Sequence, residues 1–206
     1  MSKIVVFGGS FNPLSKAHVG IIRSTIRNLK PSEVIIVPTS DTFIHEWKKF
    51  QTEFIIPLRV RLEILKEFVS RNKNISICTC EIDGVTSKTF DTLSLIQKNH
   101  QNDTIYFLSG TDKVKEFEKW YRAEDILKNF NVIFIERNGD FACKMIKENH
   151  FYDNYRDHVS YIINRTKQSY ISSSKIRESL AQKNYKALSE LTFVYVLKIL
   201  AKEGIL

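Results

Sequence analysis

Two short stretches carry residue types that could hold a phosphate. The first is GGSFNPLSKAHVG, from Gly8 to Gly20. Gly8 and Gly9 end an apolar run, and glycine lets a backbone approach a ligand closely. Asn12-Pro13 reads as a turn. A helix should start near Ser15 or Lys16, which puts His18 in its first turn. The N–H groups at a helix start attract anions, and His18 could add a side-chain donor to the same anion. The second stretch is ISSSKIRESL, from Ile171 to Leu180. Ser174 is the N-cap candidate, Ser172 and Ser173 add hydroxyls beside the helix start, and Arg177 stands about one turn in, within reach of a phosphate at the helix mouth. Neither stretch is specific by itself. The first matches neither GxGxxG nor GxxxxGK[ST] and reads equally well as a glycine-rich turn with a structural histidine. The second alone is an ordinary capped helix with a solvated arginine.

The elements that would position these stretches alternate in period. Short apolar runs at Lys3–Phe7, Glu33–Pro38, Thr104–Ser109, Val132–Glu136 and Val159–Ile163 suit strands buried on both faces. Ile75–Ile82 is a further strand candidate with clearer alternation. Helical patterns cover Lys16–Asn28, Pro57–Arg71, Thr89–Asn99, Val114–Lys128 and Ala142–Asn149, and Leu58, Leu62, Leu65 and Val69 mark an amphipathic face. After Ile163 the chain turns helical to the end, with Ser174–Gln182 and Phe193–Ala201 as separate helices. This alternation predicts an α/β fold with a doubly wound, mostly parallel sheet. Such sheets bind ligands outside the carboxyl ends of their strands, near a topological switch point. No internal repeat or linker divides the 206 residues, so one domain is expected.

Composition is that of a soluble globular protein, 43% hydrophobic and 26% charged. No run of about 18 apolar residues predicts a membrane span, and MSKIVVFGGS is too short in apolar length for a secretory signal. A cytoplasmic protein is expected. The net charge of +8 is spread along the chain rather than blocked, which suits phosphate steering as well as nucleic acid. Cys78 and Cys80 lie on one face of the strand candidate ISICTCEI. Without partner Cys or His pairs at zinc spacing they read as buried thiols in a reducing compartment, and no metal site is expected.

Together the two stretches resemble a known pair. GGSFNPLSKAH is similar to the GG[TS]F[DN]PxHxGH signature of nucleotidyltransferases that transfer an AMP group, and ISSSKIR to their second signature, ISSTxIR. FLSGTDKVKEFEKWYRAEDIL resembles the family segment in which Gly-x-Asp precedes a Trp-Tyr pair. SKTFDTL resembles the Ser-Tyr-Thr-x-Asp-Thr-Leu stretch. Order, spacing and length resemble the bacterial nicotinate-nucleotide adenylyltransferase family over nearly the whole chain.

The resemblance implies a Rossmann-like nucleotidyltransferase domain over residues 1–206, with a helical C-terminal part from about 171 that carries the second ATP motif. It implies transfer of AMP from ATP to nicotinate mononucleotide with Mg²⁺, giving deamido-NAD and pyrophosphate. ATP would meet Gly8, Gly9, Ser10, Phe11, His18, Ile171, Ser172, Ser173 and Arg177. His18 would stabilise the α-phosphate and Arg177 the departing pyrophosphate, with Ser15 in the catalytic set. The mononucleotide would meet Ser10, Lys48, Thr89, Asp112 and Trp120, with Thr89 lining the nicotinate pocket and Trp120 stacking on its ring. Asp112 would contact a ribose or the magnesium network.

Two departures stand out. The motif HxGH is here Ser15-Lys16-Ala17-His18, and a serine reaches less far than histidine and cannot become cationic. The segment TSDTFIHEWKKF lacks the family's Pro-Pro-His-Lys; His45 could stand for that histidine, and Lys48 or Lys49 for that lysine. These departures leave open nicotinamide mononucleotide or another phosphorylated acceptor such as phosphopantetheine, and also a weakly active nucleotide-binding paralogue. A nucleic-acid-binding module lacks the interleaved basic and aromatic residues it needs. The sequence leaves a homo-oligomer open.

Overall fold

The computed structural model describes residues 1–42, 44, 55–136, 141–163 and 171–206. Its centre is a parallel six-stranded sheet: β1 (Lys3–Gly9), β2 (Glu33–Pro38), β3 (Ile75–Ile77), β4 (Thr104–Gly110), β5 (Asn131–Ile135) and β6 (Val159–Ile162), in the order β3-β2-β1-β4-β5-β6. The expected doubly wound sheet is therefore present. The helices are α1 (Lys16–Leu29), α2 (Leu58–Ser70), α3 (Thr89–Asn99), α4 (Ala123–Asn129), α5 (Ala142–Lys147), α6 (Ser173–Ala181), α7 (Tyr185–Leu191) and α8 (Val194–Lys202). No described helix is long and apolar enough to cross a membrane.

Alternation along β1 divides the core. Val5 and Phe7 face one layer with Ile22 of α1, Ile64 and Leu65 of α2, Ile176 of α6, Leu188 of α7 and Leu200 of α8. Ile4 and Val6 face the other, with Leu93 of α3, Ile126 of α4, Ile146 of α5 and Tyr152. Burying both sheet faces explains the near-continuous apolar strands.

Several expectations need correction. The strand expected over Ile75–Ile82 ends at Ile77. This is a sheet edge, and the chain turns away there, with Ile82 and Asp83 N–H donating to Thr79 O. The helix expected over Val114–Lys128 is broken. Two short 3₁₀ turns (Thr111–Lys113 and Phe117–Lys119) bury Val114 and Phe117, and Arg122 takes a left-handed φ of 55° before α4 begins. The buried face of α2 runs through Val60, Arg61, Ile64, Leu65 and Phe68 rather than Leu58, Leu62 and Val69, because it packs against α8 as well as the sheet. α5 stops at Lys147 and a 3₁₀ segment, His150–His158, follows. The C-terminal region holds α7 as an additional helix, capped by the Asn184 side chain on Ala187 N–H. Cys80 is buried but Cys78 only partly so.

Candidate active site

β1 and β4 are neighbours, and the chain runs outward from them in opposite directions, to β2 and β3 on one side and β5 and β6 on the other. The carboxyl ends of β1 and β4 thus form the switch point where such sheets bind ligands. Gly8 and Gly9 lie at that end, opposite Val37 and Pro38 of β2. A Cβ on Gly8 would meet nothing nearer than Val37 O at 4.0 Å, and one on Gly9 would make ordinary contact with the Phe11 ring at 3.4 Å. The fold alone does not demand glycine here, and a side chain would fill space above the strand end.

The loop after β1 is tightly held. Asn12 and Ser15 are buried, and Phe11, 1% exposed, has a left-handed φ of 42°. The Phe11 ring packs on Phe7 and, at 5.0 Å between centroids, on His18. Phe11 therefore supports the site from below, and its ring does not line the cleft. Ser15 is the N-cap of α1. Its Oγ accepts from His18 N–H at 3.3 Å, its own N–H donates to His18 Nδ1 at 3.1 Å, and its Oγ lies 3.0 Å from the same Nδ1. Since a backbone N–H can only donate, Nδ1 must accept, and the neutral ring carries its proton on Nε2.

The second motif meets this loop. Ser173 Oγ donates to Pro13 O at 2.9 Å, and Arg177 Nη1 donates to Asn12 O at 2.8 Å. Thr192 Oγ1 adds a bond to Leu14 O at 2.8 Å. The two stretches, about 160 residues apart, are one structural unit. The cap of α6 is Ser172 rather than Ser174. Ser172 is extended, and its Oγ accepts from Lys175 N–H at 3.2 Å, so the helix starts one residue earlier than expected. Ser174 instead accepts from Arg177 Nη2 at 3.1 Å. Burial pushes the Arg177 guanidinium down from its ordinary value, and among the described residues no carboxylate forms an ion pair with it. A half-buried cation in that state favours an incoming anion. Ile171 is 1% exposed and belongs to the core.

The other candidate residues also leave carboxyl ends of strands. Thr89 is the first residue of α3, whose N-cap, Lys88, makes no side-chain cap bond. Trp120 is partly buried against Phe107 and Phe117, with centroids at 5.9 and 4.9 Å. These two segments touch through the Arg122 guanidinium, which lies 3.7 Å from the Phe90 ring centroid. Asp112 follows β4 directly, is exposed, and has Lys113 Nζ at 3.6 Å. Ser10 sits beside Gly9, and its carbonyl accepts from Arg61. Lys48, Lys49 and His45 lie outside the described residues.

Among the described residues no group of three or more His, Cys, Asp or Glu side chains could hold a metal ion. The donors described above are backbone N–H groups, hydroxyls and a guanidinium, which suit an anion.

Sequence reasoning missed Arg61 and Asp41. Arg61 is wholly buried and donates to the loops after both β1 and β2. The apolar period through Leu58, Leu62, Leu65 and Val69 gave no sign that Arg61 is the residue turned inward.

Comparison with known proteins agrees with this geometry. The cytidylyltransferase-like family model matches residues 6–179. A "probable nicotinate-nucleotide adenylyltransferase" of Carboxydothermus hydrogenoformans (strain ATCC BAA-161 / DSM 6008 / Z-2901) is 30% identical over 88% of both chains. One from Aliarcobacter butzleri (strain RM4018) is 31% identical over 69% of this chain and 76% of that protein. The Plasmodium falciparum nicotinic acid mononucleotide adenylyltransferase complexed with APC has the same fold, with a TM-score of 0.78 at 20% identity over 99% of this chain and 96% of that one. The same protein complexed with NaAD gives 0.77 at 19% identity, over 99% and 97%. With a family model spanning most of its length and relatives at this identity, the chain belongs to the cytidylyltransferase-like family and, within it, to the nicotinate-nucleotide adenylyltransferases.

Proposed function

We propose that this protein transfers the AMP group of ATP to nicotinate mononucleotide, forming deamido-NAD and pyrophosphate for NAD biosynthesis in the cytoplasm. The observation that carries this reading is the junction of the two motifs, Arg177 to Asn12 O and Ser173 to Pro13 O. It sets an arginine and two helix N-termini around the carboxyl end of β1. Relatives of matching length bearing the adenylyltransferase name support the acceptor.

The chemistry needs no enzyme nucleophile. A 5′-phosphate oxygen of the mononucleotide attacks the α-phosphorus of ATP, the bond from that phosphorus to the bridging α–β oxygen breaks, and its electrons leave with pyrophosphate. The protein's part is to align two anions and neutralise the charge they concentrate. Gly8, Gly9 and Ser10 bring backbone close to the nucleotide phosphates. His18, oriented by Ser15, presents its protonated Nε2 to the α-phosphate. Arg177, Ser172 and Ser173 receive the β- and γ-phosphates, and the permanent charge of arginine suits a leaving group so anionic. Thr89 and Trp120 bound the pyridine end, Asp112 meets a ribose, and Lys48 also contacts the mononucleotide. When bound with ATP, Mg²⁺ would supply further neutralisation of the phosphate charge.

The test is pyrophosphate release from ATP and Mg²⁺ with nicotinate mononucleotide or nicotinamide mononucleotide. Release is expected with the nicotinate form. Release with the nicotinamide form alone would reassign the acceptor, and release with neither would overturn the reading.

A further inference from the structure

Arg61 has no role in the reading above, yet its contacts are unusual. The side chain is fully buried, on the face of α2 that also carries Val60, Ile64 and Leu65. Its Nη1 donates to Ser10 O at 2.6 Å and to Thr39 O at 3.2 Å. Nη2 donates to Thr39 O at 3.1 Å and to Asp41 Oδ1 at 2.5 Å, and Nε donates to Ile56 O at 3.2 Å. Asp41 is held from its other side, where Oδ2 accepts from Leu58 N–H at 3.1 Å. Around this hub, Thr39 N–H donates to Gly9 O at 3.0 Å and Ile56 N–H to Asn12 Oδ1 at 2.9 Å.

A helix packed on a sheet needs only an apolar residue at such a position, and a buried charge is costly unless fully paired. Burial pulls the guanidinium below its ordinary value, while the hydrogen bond and charge of Asp41 oppose that. What the planar fork does, and no apolar residue could, is hold carbonyls of separate loops at fixed angles. The Ser10 carbonyl is the important one. Pinning it fixes the peptide plane leading to Phe11, whose φ of 42° is uncommon for a residue with a side chain. The Phe11 ring in turn lies against His18.

We infer that Arg61 is a positioning residue for adenylyl transfer: through Ser10 O and Phe11 it sets the place of His18, and it ties Thr39 and Asp41, just after β2, to the phosphate loop after β1. It touches no substrate. The inference rests on the adenylyl-transfer reading for its rate effect, but not for its effect on nucleotide affinity.

The test is Arg61→Lys, which keeps the charge and loses the fork. It is compared with the unaltered protein at a temperature where thermal melts show both folded. Per folded molecule, kcat is expected to fall about ten-fold or more, and ATP affinity by calorimetry about five-fold, as misplacement of reacting groups does. In Arg61→Ala, added ethylguanidinium should raise kcat per folded molecule where ethylammonium does not. A folded Arg61→Lys protein with both kcat and ATP affinity within about two-fold of the unaltered protein overturns the inference. If Arg61→Lys gives no cooperative melt, Asp41→Asn decides. Asp41 is partly exposed, so that variant should fold; a rate or ATP affinity lowered about three-fold or more supports the inference and unchanged values overturn it. If the unaltered protein releases no pyrophosphate with either mononucleotide, the adenylyl-transfer reading fails, and calorimetry with ATP alone still judges Arg61.

Discussion

Ser15 and His18 cap each other across the first turn of α1, the hydroxyl accepting from His18 N–H while Ser15 N–H donates to Nδ1. Ser15 is 1% exposed. The residue that departs most from the motif HxGH is therefore the one that fixes the histidine's ring and tautomer. Ser15→Ala should lose about 1 kcal/mol of stability, the usual worth of an N-cap, seen as a lower melting temperature. It should lower kcat only about three-fold, because the hydroxyl contact to Nδ1 at 3.0 Å is lost while the backbone N–H of residue 15 still donates to that atom. Restoring the motif with Ser15→His should not raise the rate. Ser15 is 1% exposed, so an imidazole there would have to displace its neighbours, and overpacking typically costs about 1–3 kcal/mol. A gain in kcat would mean that the serine is a compromise.

His18→Ala should reduce kcat by about two orders of magnitude or more, the range found when one donor to a developing charge is removed. The KM for ATP should change much less, because the donation matters most as charge builds on the α-phosphate. Steady-state kinetics with ATP varied separates the two. A rate near that of the unaltered protein would remove His18 from the chemistry.

Much of this was readable from residue order. The apolar strands and glycine-ended β1 imply the doubly wound sheet, and paired motifs imply that two distant segments meet, as Asn12 and Arg177 do. What was not readable depends on tertiary contacts. Period alone could not show that Val114 and Phe117 are buried by 3₁₀ turns rather than one helix. Nor could it show that Arg61, and not Leu62, is turned inward. Sequence favoured Ser174 as the cap, whereas the chain, tied to Pro13 through Ser173, makes Ser172 the cap.

Arg177→Lys should lower kcat and raise the KM for ATP together, by about ten-fold in kcat/KM or more. Lysine keeps the charge but cannot donate to Asn12 O and Ser174 Oγ while also facing phosphate. Fluorescence melts should show a folded protein, since Ser173 and Thr192 still tie the two segments together. Unchanged kinetics would separate Arg177 from the pyrophosphate.

Glu81 predicts a pH dependence of stability. Burial pushes its carboxyl up to about 7 from an ordinary 4.5, although the Thr92 hydroxyl, donating at 3.0 Å, partly stabilises the ionised form. A folded-state value above the unfolded one means that the folded protein keeps a proton the unfolded chain has released. The associated stability is complete below about 4.5 and is lost as pH rises through about 7. This site should therefore lower the melting temperature progressively across that window. Glu81→Gln, which keeps the shape and stays neutral, should flatten the slope and leave the protein more stable than the unaltered chain at pH 8. Melts of both proteins at half-unit pH steps check this, and parallel curves would show that Glu81 ionises without cost to the fold.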